Sequence, residues 1–315
     1  MNISYIKEVI PFAVRNGRDC DISGVAYARQ AKENEIAIAR CDEEINVTDA
    51  SVVLTEMTMI DTGKQLLFPF DSLYEVAVDL AELFVAFKYY PDYSKMPEYK
   101  LINGNRIGHN CRISDTAVMG GFVSIGNDVV IGDRCVIEDS VFIGSGSVIG
   151  DDVYIRSGSR IGVSPFFQYG SNRYNRFSGL GKVIIGDQVS IGANSVIERG
   201  TFADTIIGTD VAIGHNVIIG HDSIIGAHSL IVTNTAMAGG VVLEKNVKIY
   251  GCCNINNNVT ISHGSIIKGA SNVWKDVASG EVISGCYGRR HAEELKIQAK
   301  LRRLILGGKR NGWML

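Results

Sequence analysis

The sequence predicts a mainly β fold: a triangular parallel β-helix of six-residue repeats, preceded by a small α/β domain and followed by a helix. Three observations predict it. Aliphatic residues recur at strict six-residue intervals through the central two thirds of the chain. Glycine often follows them directly, as at 108, 126, 132, 144, 150 and 162. The first hundred residues and the last thirty lack the period altogether.

The repeat starts at Ile107 and runs through Ile125, Ile131, Ile137, Ile143 and Ile149 to Ile161 without a slip. It resumes at Ile185, Ile191 and Ile197, then again from Ile207 to Ile267. Neither the 3.6-residue period of a helix nor the alternation of an ordinary strand gives six. A triangular coil does: three hexads close one turn, each Ile points inward, and small residues turn the corners where backbone freedom is needed. Stacked at the spacing of paired strands, the hexads make about eight coils and a prism roughly 35–40 Å long.

Residues 1–100 read as the α/β domain. Val52-Val53-Leu54 and Leu66-Leu67-Phe68 are short strands, and Ser72 through Ala86 is a helix with Asp71 as its N-cap. Tyr89 to Lys100, with Pro91 and Pro97, is the linker. The prism spans 101–287, and 288–315 is a helical tail in which Ile297, Leu301, Leu304 and Ile305 form one stripe. Lys300, Arg302 and Arg303 stand towards its end, where positive charge suits the helix dipole. Residues 163–182 interrupt the repeat. A loop of that length in a compact array serves function or an interface; its Phe, Tyr and Arg residues suit either a binding rim or packing against a neighbouring subunit.

Composition narrows the functional classes. Apolar residues make up 46% of the 315, and the net charge is −3. That balance does not suggest nucleic acid or an anionic membrane as a partner. No run is long and apolar enough to span a bilayer, and the N-terminus lacks the regions of a secretory signal. Seven Cys residues without a metal-like spacing read as reduced thiols in a cytoplasmic setting. No metal or cofactor is expected. Of the six His residues, 215, 221 and 228 occupy successive faces and so diverge within one chain.

His221 is the candidate base. It lies two residues past the inward Ile219, on the outside of the prism, and one coil later stands Gly239 in Ala238-Gly239-Gly240. A His base beside an approachable backbone N–H is the minimum equipment for acyl transfer.

The stretch 183–241 resembles the UDP-3-O-acylglucosamine N-acyltransferase family of lipid A synthesis. Ile219-Gly220-His221 matches the family's IAH motif, Ala238-Gly239 its AG pair, and Ile197-Glu198-Arg199-Gly200 its IDRG. Ile22-Ser23-Gly24-Val25-Ala26 resembles its ITGVA, and Ser284-Gly285 before the terminal helix has its counterpart. The resemblance implies a left-handed parallel β-helix, a homotrimer with sites between prisms, a uridine-binding N-terminal domain, His221 as general base and the Gly239 N–H as oxyanion donor. It implies a nucleotide-linked amino sugar as acceptor and acyl carrier protein, or a coenzyme A thioester, as donor. Phe166, Phe167, Asn258 and His215 are candidate substrate contacts, and Arg302 and Arg303 candidate donor contacts in the basic tail. The chain departs from the family where its second His falls at Asn258, where its DGFG loop becomes Ser164-Pro165-Phe166-Phe167, and where an NPKY-type segment has no counterpart near Arg40 to Asn46. An O- or N-acetyltransferase using acetyl-CoA on another acceptor is the alternative enzyme; a non-catalytic scaffold or an anhydrase-like metal protein is the alternative of another class.

Overall fold

The computed structural model describes residues 1–10, 12–15, 18–57, 62–69, 72–86, 99–169, 175–285, 288 and 290–308. Asp71, Arg289, Lys309, Arg310 and most of the expected linker lie outside the described residues.

The prism is built from two- to four-residue strands in three faces of ten, eight and nine strands, stacked parallel except for the edge strand Tyr99–Ile102, which runs antiparallel to Asn105–Gly108. The face that begins at Asn105–Gly108 also carries Val196–Glu198, Ile218–Ile219, Ala236–Met237 and Asn254–Ile255. In each hexad the expected aliphatic residue is inward and buried, from Ile125 to Ile267. A second inward position, two residues earlier, escaped the sequence reading. It holds Val123, Val129, Val141, Val153, Val217 and Val241, or a smaller Ser, Thr or Cys. There Ser147, Ser195 and Ser265 donate their hydroxyls to the carbonyls of Gly144, Gly214 and Ala278 at 2.7, 2.8 and 2.8 Å, so the buried oxygens are satisfied. Cys135 and Cys253 fill the same position, and burial pushes both thiols up.

The corners differ from expectation. The residue in the left-handed region is not the glycine after the inward Ile but the one three places past it: Asn110, Asp128, Asp152, Asn194, Asp222, Asn234, Asn258 and their counterparts, all with φ near +60°. Asn and Asp tolerate that conformation better than other side chains with a Cβ. The glycine answers a different need. A Cβ on Gly108 would lie 2.6 Å from the backbone N of Asn127 in the next coil, and one on Gly192 would lie 2.5 Å from the Gly214 carbonyl oxygen. These glycines let successive coils approach.

In the N-terminal domain, β1 (Phe12–Arg15), β2 (Gly24–Tyr27), β3 (Glu35–Ile38), β4 (Val52–Leu54) and β5 (Gln65–Pro69) form one sheet in the order β1-β5-β4-β3-β2. Only the β1–β5 pair is antiparallel. Helices α1 (Ile3–Val9), α2 (Asp42–Val47) and α3 (Leu73–Ala86) accompany it. The cap of α3 is Ser72: its Oγ accepts from the Glu75 N–H at 3.2 Å, an N-cap bond to the third helical residue.

The inserted segment packs against the chain's own N-terminal domain. Phe177 and Leu180 of the insert, together with Phe202 from the later break in the repeat, share a buried cluster with Val25, Val76 and Leu80, and Tyr27 meets Phe202 edge-on at 5.5 Å. The C-terminal helix α4 runs from His291 to Gly308. Leu295, Ile297, Leu301 and Leu304 on it are exposed. Because α4 continues past Arg303, its basic residues fall short of the last turn, and the dipole reading of them does not hold.

Gly192→Ala should therefore destabilise the fold by about 1–3 kcal/mol, as overpacking does. Gly121→Ala is the reference, since a methyl there meets nothing closer than 3.7 Å. Denaturant unfolding of the two variants checks this; equal midpoints would contradict the close-approach role.

Candidate active site

His221 follows the strand Ile218–Ile219 at a prism corner, and Asp222 occupies the left-handed position there with φ +57°. That conformation folds the Asp222 carboxylate back onto its neighbour, and the His221 Nδ1 lies 2.6 Å from Oδ2. Asp222 is buried. Its Oδ1 accepts from the backbone N–H groups of Thr201 and Ala203 at 2.8 and 3.1 Å. Its Oδ2 also accepts from the Thr201 hydroxyl. Tyr27 in turn lies 3.4 Å from Thr201, hydroxyl to hydroxyl, linking the N-terminal domain to this chain of bonds. Three donors besides His221 converge on Asp222, so it is an ionised acceptor towards His221. Nδ1 then carries the imidazole proton and Nε2 presents a lone pair, the tautomer a proton acceptor needs.

Burial lowers the His221 pKa, but the hydrogen bond to Asp222, that carboxylate's charge and the charge of Glu198 outweigh it and leave it above the usual 6.5. Glu198 Oε2 accepts the His221 backbone N–H at 3.1 Å and Oε1 accepts the Phe166 N–H at 3.1 Å. The ring of Phe167 stands edge-on to the imidazole at 5.7 Å. On the following coil Gly239 lies against the ring: a Cβ there would be 2.5 Å from Nε2 and 2.9 Å from Nδ1. A side chain at 239 would displace the imidazole.

The expected open N–H at Gly239 is occupied. It donates to Asn257 Oδ1 at 3.1 Å, and the Gly240 N–H donates to the His221 carbonyl at 2.8 Å. These bonds belong to the ladder that ties the coils together. The same side-chain-to-backbone bond joins Asn127 to the His109 N–H and Asp151 to the Asp133 N–H, both at 2.8 Å.

His215 is part of that ladder as well. Its Nδ1 accepts from the Ala193 N–H at 2.8 Å, and its own N–H reaches Thr233 Oγ1 at 3.3 Å. It lies one corner away from His221 and is not among the residues that line the cleft there. His228 pairs with Asp210 at 2.9 Å. Among the described residues no three His, Cys, Asp or Glu side chains converge on a metal position.

The cleft at His221 has a volume of about 830 Å³ and opens between the prism and the N-terminal domain. His221, Gly239, Asn258, Phe166 and Phe167 all line it. Arg302 and Arg303 do not; they are exposed on α4. The opposite wall escaped the sequence reading: Tyr27, Arg29, Gln30, Arg40 and Tyr74. Arg40 pairs with Glu44 at 2.6 Å, and Gln30 Oε1 is buried with no hydrogen-bond partner among the described residues. These residues come from β2, the turn after it, the β3–α2 connection and α3, which only tertiary folding brings together. Asp222 was missed as well, because adjacency to His221 in the sequence does not show that its carboxylate turns back onto the ring. The prism wall contributes an apolar floor, Ile224 and Val242.

Residues 128–163 match the family model for the bacterial transferase hexapeptide, six repeats. The chain carries this transferase repeat. It is 31% identical over 138 residues to a UDP-3-O-acylglucosamine N-acyltransferase of Methylobacterium sp. (strain 4-46), covering 44% of this chain and 39% of the relative. The corresponding enzyme of Methylorubrum populi is 33% identical over 147 residues, 46% of this chain and 42% of its own. The chain thus spans about two fifths of the length of the curated relatives it matches. Among solved structures, the UDP-N-acetylglucosamine acyltransferase of Francisella novicida superposes with a TM-score of 0.55 at 25% identity, over 63% of this chain and 73% of that one. The UDP-N-acetylglucosamine O-acyltransferase of Moraxella catarrhalis gives 0.52 at 25%, over 68% and 86%.

The raised pKa has a sign in each direction. The His221–Asp222 pair adds stability that is complete below the unfolded imidazole value and is lost as pH rises through the folded one. Proton-accepting capacity appears only above the folded value. The His221 imidazole should titrate above 6.5, and Asp222→Asn should lower its midpoint. NMR titration reads both; a midpoint at or below 6.5 in the parent protein would sink the assignment.

Proposed function

We propose that the chain is an acyltransferase that moves an acyl group from a thioester to the amino group of a nucleotide-linked amino sugar. The observation that carries this is the His221–Asp222 pair, with Nε2 facing a cleft beside Gly239. In this reading Nε2 takes the proton of the acceptor amine as its nitrogen attacks the thioester carbonyl. The C–N bond forms and the carbonyl oxygen becomes an oxyanion. The tetrahedral intermediate then expels the thiolate, which receives the proton back from His221. The Gly239 N–H serves the oxyanion once Asn257 rotates off it. Base catalysis and one oxyanion bond are each worth about 10²–10³-fold or more in such reactions.

Three features support the substrate side. The curated relatives, which match 44–46% of this chain, are named for N-acyl transfer to a UDP-linked acylglucosamine. Aromatic rings, guanidinium groups and a buried amide acceptor face His221 across the cleft, a set suited to a base and phosphates. Asn258 can donate and accept hydrogen bonds but moves no proton, which suits a sugar hydroxyl. Residues 1–100 are then the nucleotide-binding part, 101–287 the transferase prism and 288–315 the docking tail. Acyl carrier protein is the proposed donor, held by the exposed cations of α4 including Arg302 and Arg303; a coenzyme A thioester is the competing donor. No bound cofactor is needed. Exposed Ile218 and Trp274, 47% and 71% accessible, fit a homotrimer. All six described cysteines are free, which fits the cytoplasm. Among the described residues no helix is long and apolar enough to cross a membrane.

Mass spectrometry of products from a panel of UDP- and dTDP-linked amino sugars, with acyl carrier protein and acyl-CoA donors, tests the reaction. His221→Ala should lose about 10²–10⁴-fold in rate with the fold intact, whereas His215→Ala should cost stability first. A His221→Ala variant that keeps a tenth of the parent rate would remove it from the mechanism. An ester product in place of an amide would move the protein to the O-acyl reading.

Charge reversal of Arg302 and Arg303 to Glu should raise KM for acyl carrier protein and flatten its salt dependence while kcat stays put, because acidic carrier proteins are steered by such charges. Efficient use of short acyl-CoA, indifferent to the reversal, would replace the carrier protein with coenzyme A.

A further inference from the structure

We propose that Glu198 is a positioning residue that couples the aromatic loop 164–169 to the His221 base, an inference that rests on the acyltransferase reading above. Glu198 follows the inward Ile197 one coil before His221, and its two oxygens reach in two directions. Oε2 accepts the backbone N–H of His221, and Oε1 accepts the backbone N–H of Phe166, each at 3.1 Å.

The first bond alone would be ordinary prism architecture. Glu138 accepts the Ser157 N–H at 2.9 Å and Glu244 accepts the His263 N–H at 2.7 Å from the same place in their hexads. At the His221 corner the usual alternative is absent, because the next coil offers Gly239, which has no side chain to accept that N–H. Glu198 fills the vacancy from the coil before. The second bond sets it apart. Phe166 is 84% exposed, so its side chain adds little packing, and the Glu198 Oε1 bond ties its backbone to the prism. The next residue, Phe167, is the one whose ring stands against the imidazole at 5.7 Å and against Tyr74 of the N-terminal domain at 6.2 Å. One carboxylate therefore sets both the height of the base and the wall that shields it from water.

Its charge acts on the same ring. The groups facing His221 are Asp222 from its own corner, Glu198 from the preceding coil, Phe167 from the loop, and Gly239 and Asn257 from the following coil; Tyr27 of β2 lies behind Asp222 through Thr201. Only Asp222 and Glu198 among these bring negative charge, and both favour the protonated imidazole. A base held in place by Glu198 is thus also made stronger by it.

Glu198→Gln removes the charge and one of the two acceptors, since an amide has a single oxygen. Glu198→Asp keeps the charge and shortens the reach. In Glu198→Gln the His221 imidazole should titrate lower than in the parent protein, and the ring-current shift that Phe167 imposes on its protons should shrink. In Glu198→Asp the titration should stay nearer the parent while the ring-current shift shrinks. Both are read by NMR on the resting protein, so they hold or fail independently of turnover. In the acyl-transfer assay kcat should fall about tenfold in Glu198→Gln with acceptor KM changed far less, the order expected of a misplaced base. Unchanged His221 titration and ring-current shift in a folded Glu198→Gln protein would overturn the coupling. If Glu198→Gln shows both spectral changes while the parent protein transfers no acyl group to any acceptor, the coupling stands and the acyltransferase reading is refuted instead.

Discussion

Everything in the prism depends on a corner that turns the chain in six residues with one residue in the left-handed region. Asp128, Asp152, Asn194, Asp222 and Asn258 all sit there. For an ordinary L-residue that conformation costs roughly 1–2 kcal/mol, which is why Asn, Asp and Gly recur at these places. The corner also fixes what each hexad can do. The inward aliphatic residue and the smaller one two places before it fill the core, the glycine after it lets the next coil approach, and the residue beyond that points outward over the neighbouring coil. Most outward residues spend their side chain on the ladder. His221 does not, because the left-handed Asp222 next to it takes the imidazole Nδ1.

The catalytic proposal is therefore a local departure from a structural rule. His215 shows the rule: its Nδ1 accepts a backbone N–H from the preceding coil and the ring becomes a rung. At His221 the rung is supplied by Glu198, the ring is released to face the cleft, and Gly239 clears the space beside Nε2. The N-terminal domain closes the opposite side. Tyr27 and Tyr74 join it to Phe202 and Phe167 through edge contacts at 5.5 and 6.2 Å, each worth about 0.5–1.5 kcal/mol beyond the area it buries. Base and cleft wall are thus parts of one packed unit.

The prism was legible in the sequence because a strict six-residue spacing of Ile admits no helix or flat strand. The reason for the glycines was not, since close approach between coils is a property of stacking and not of the hexad itself. His221 and Gly239 were legible as neighbours one coil apart. Asp222 was not, because its usefulness comes from a φ of +57° that turns its carboxylate towards the preceding residue. The occupied state of the Gly239 N–H depends on the rotamer of Asn257, which spacing cannot give. Tyr27, Arg40 and Tyr74 were invisible for a different reason: they are far apart in the chain and far from His221, and only the docking of two core clusters places them on one cleft. The sequence set His215 apart from His221 only by Gly239 one coil after the latter, and hydrogen bonding separates them further.

That separation gives the most direct measurement. Nitrogen-15 spectra of the neutral imidazoles report which ring nitrogen carries the proton. With Asp222 accepting from it, His221 should be protonated on Nδ1, leaving Nε2 as the base; His215, whose Nδ1 accepts from Ala193, should be protonated on Nε2 in the same protein. Opposite tautomers at the two positions are the predicted result. A His221 ring protonated on Nε2 would mean that no lone pair faces Gly239 and the cleft, and would contradict the account.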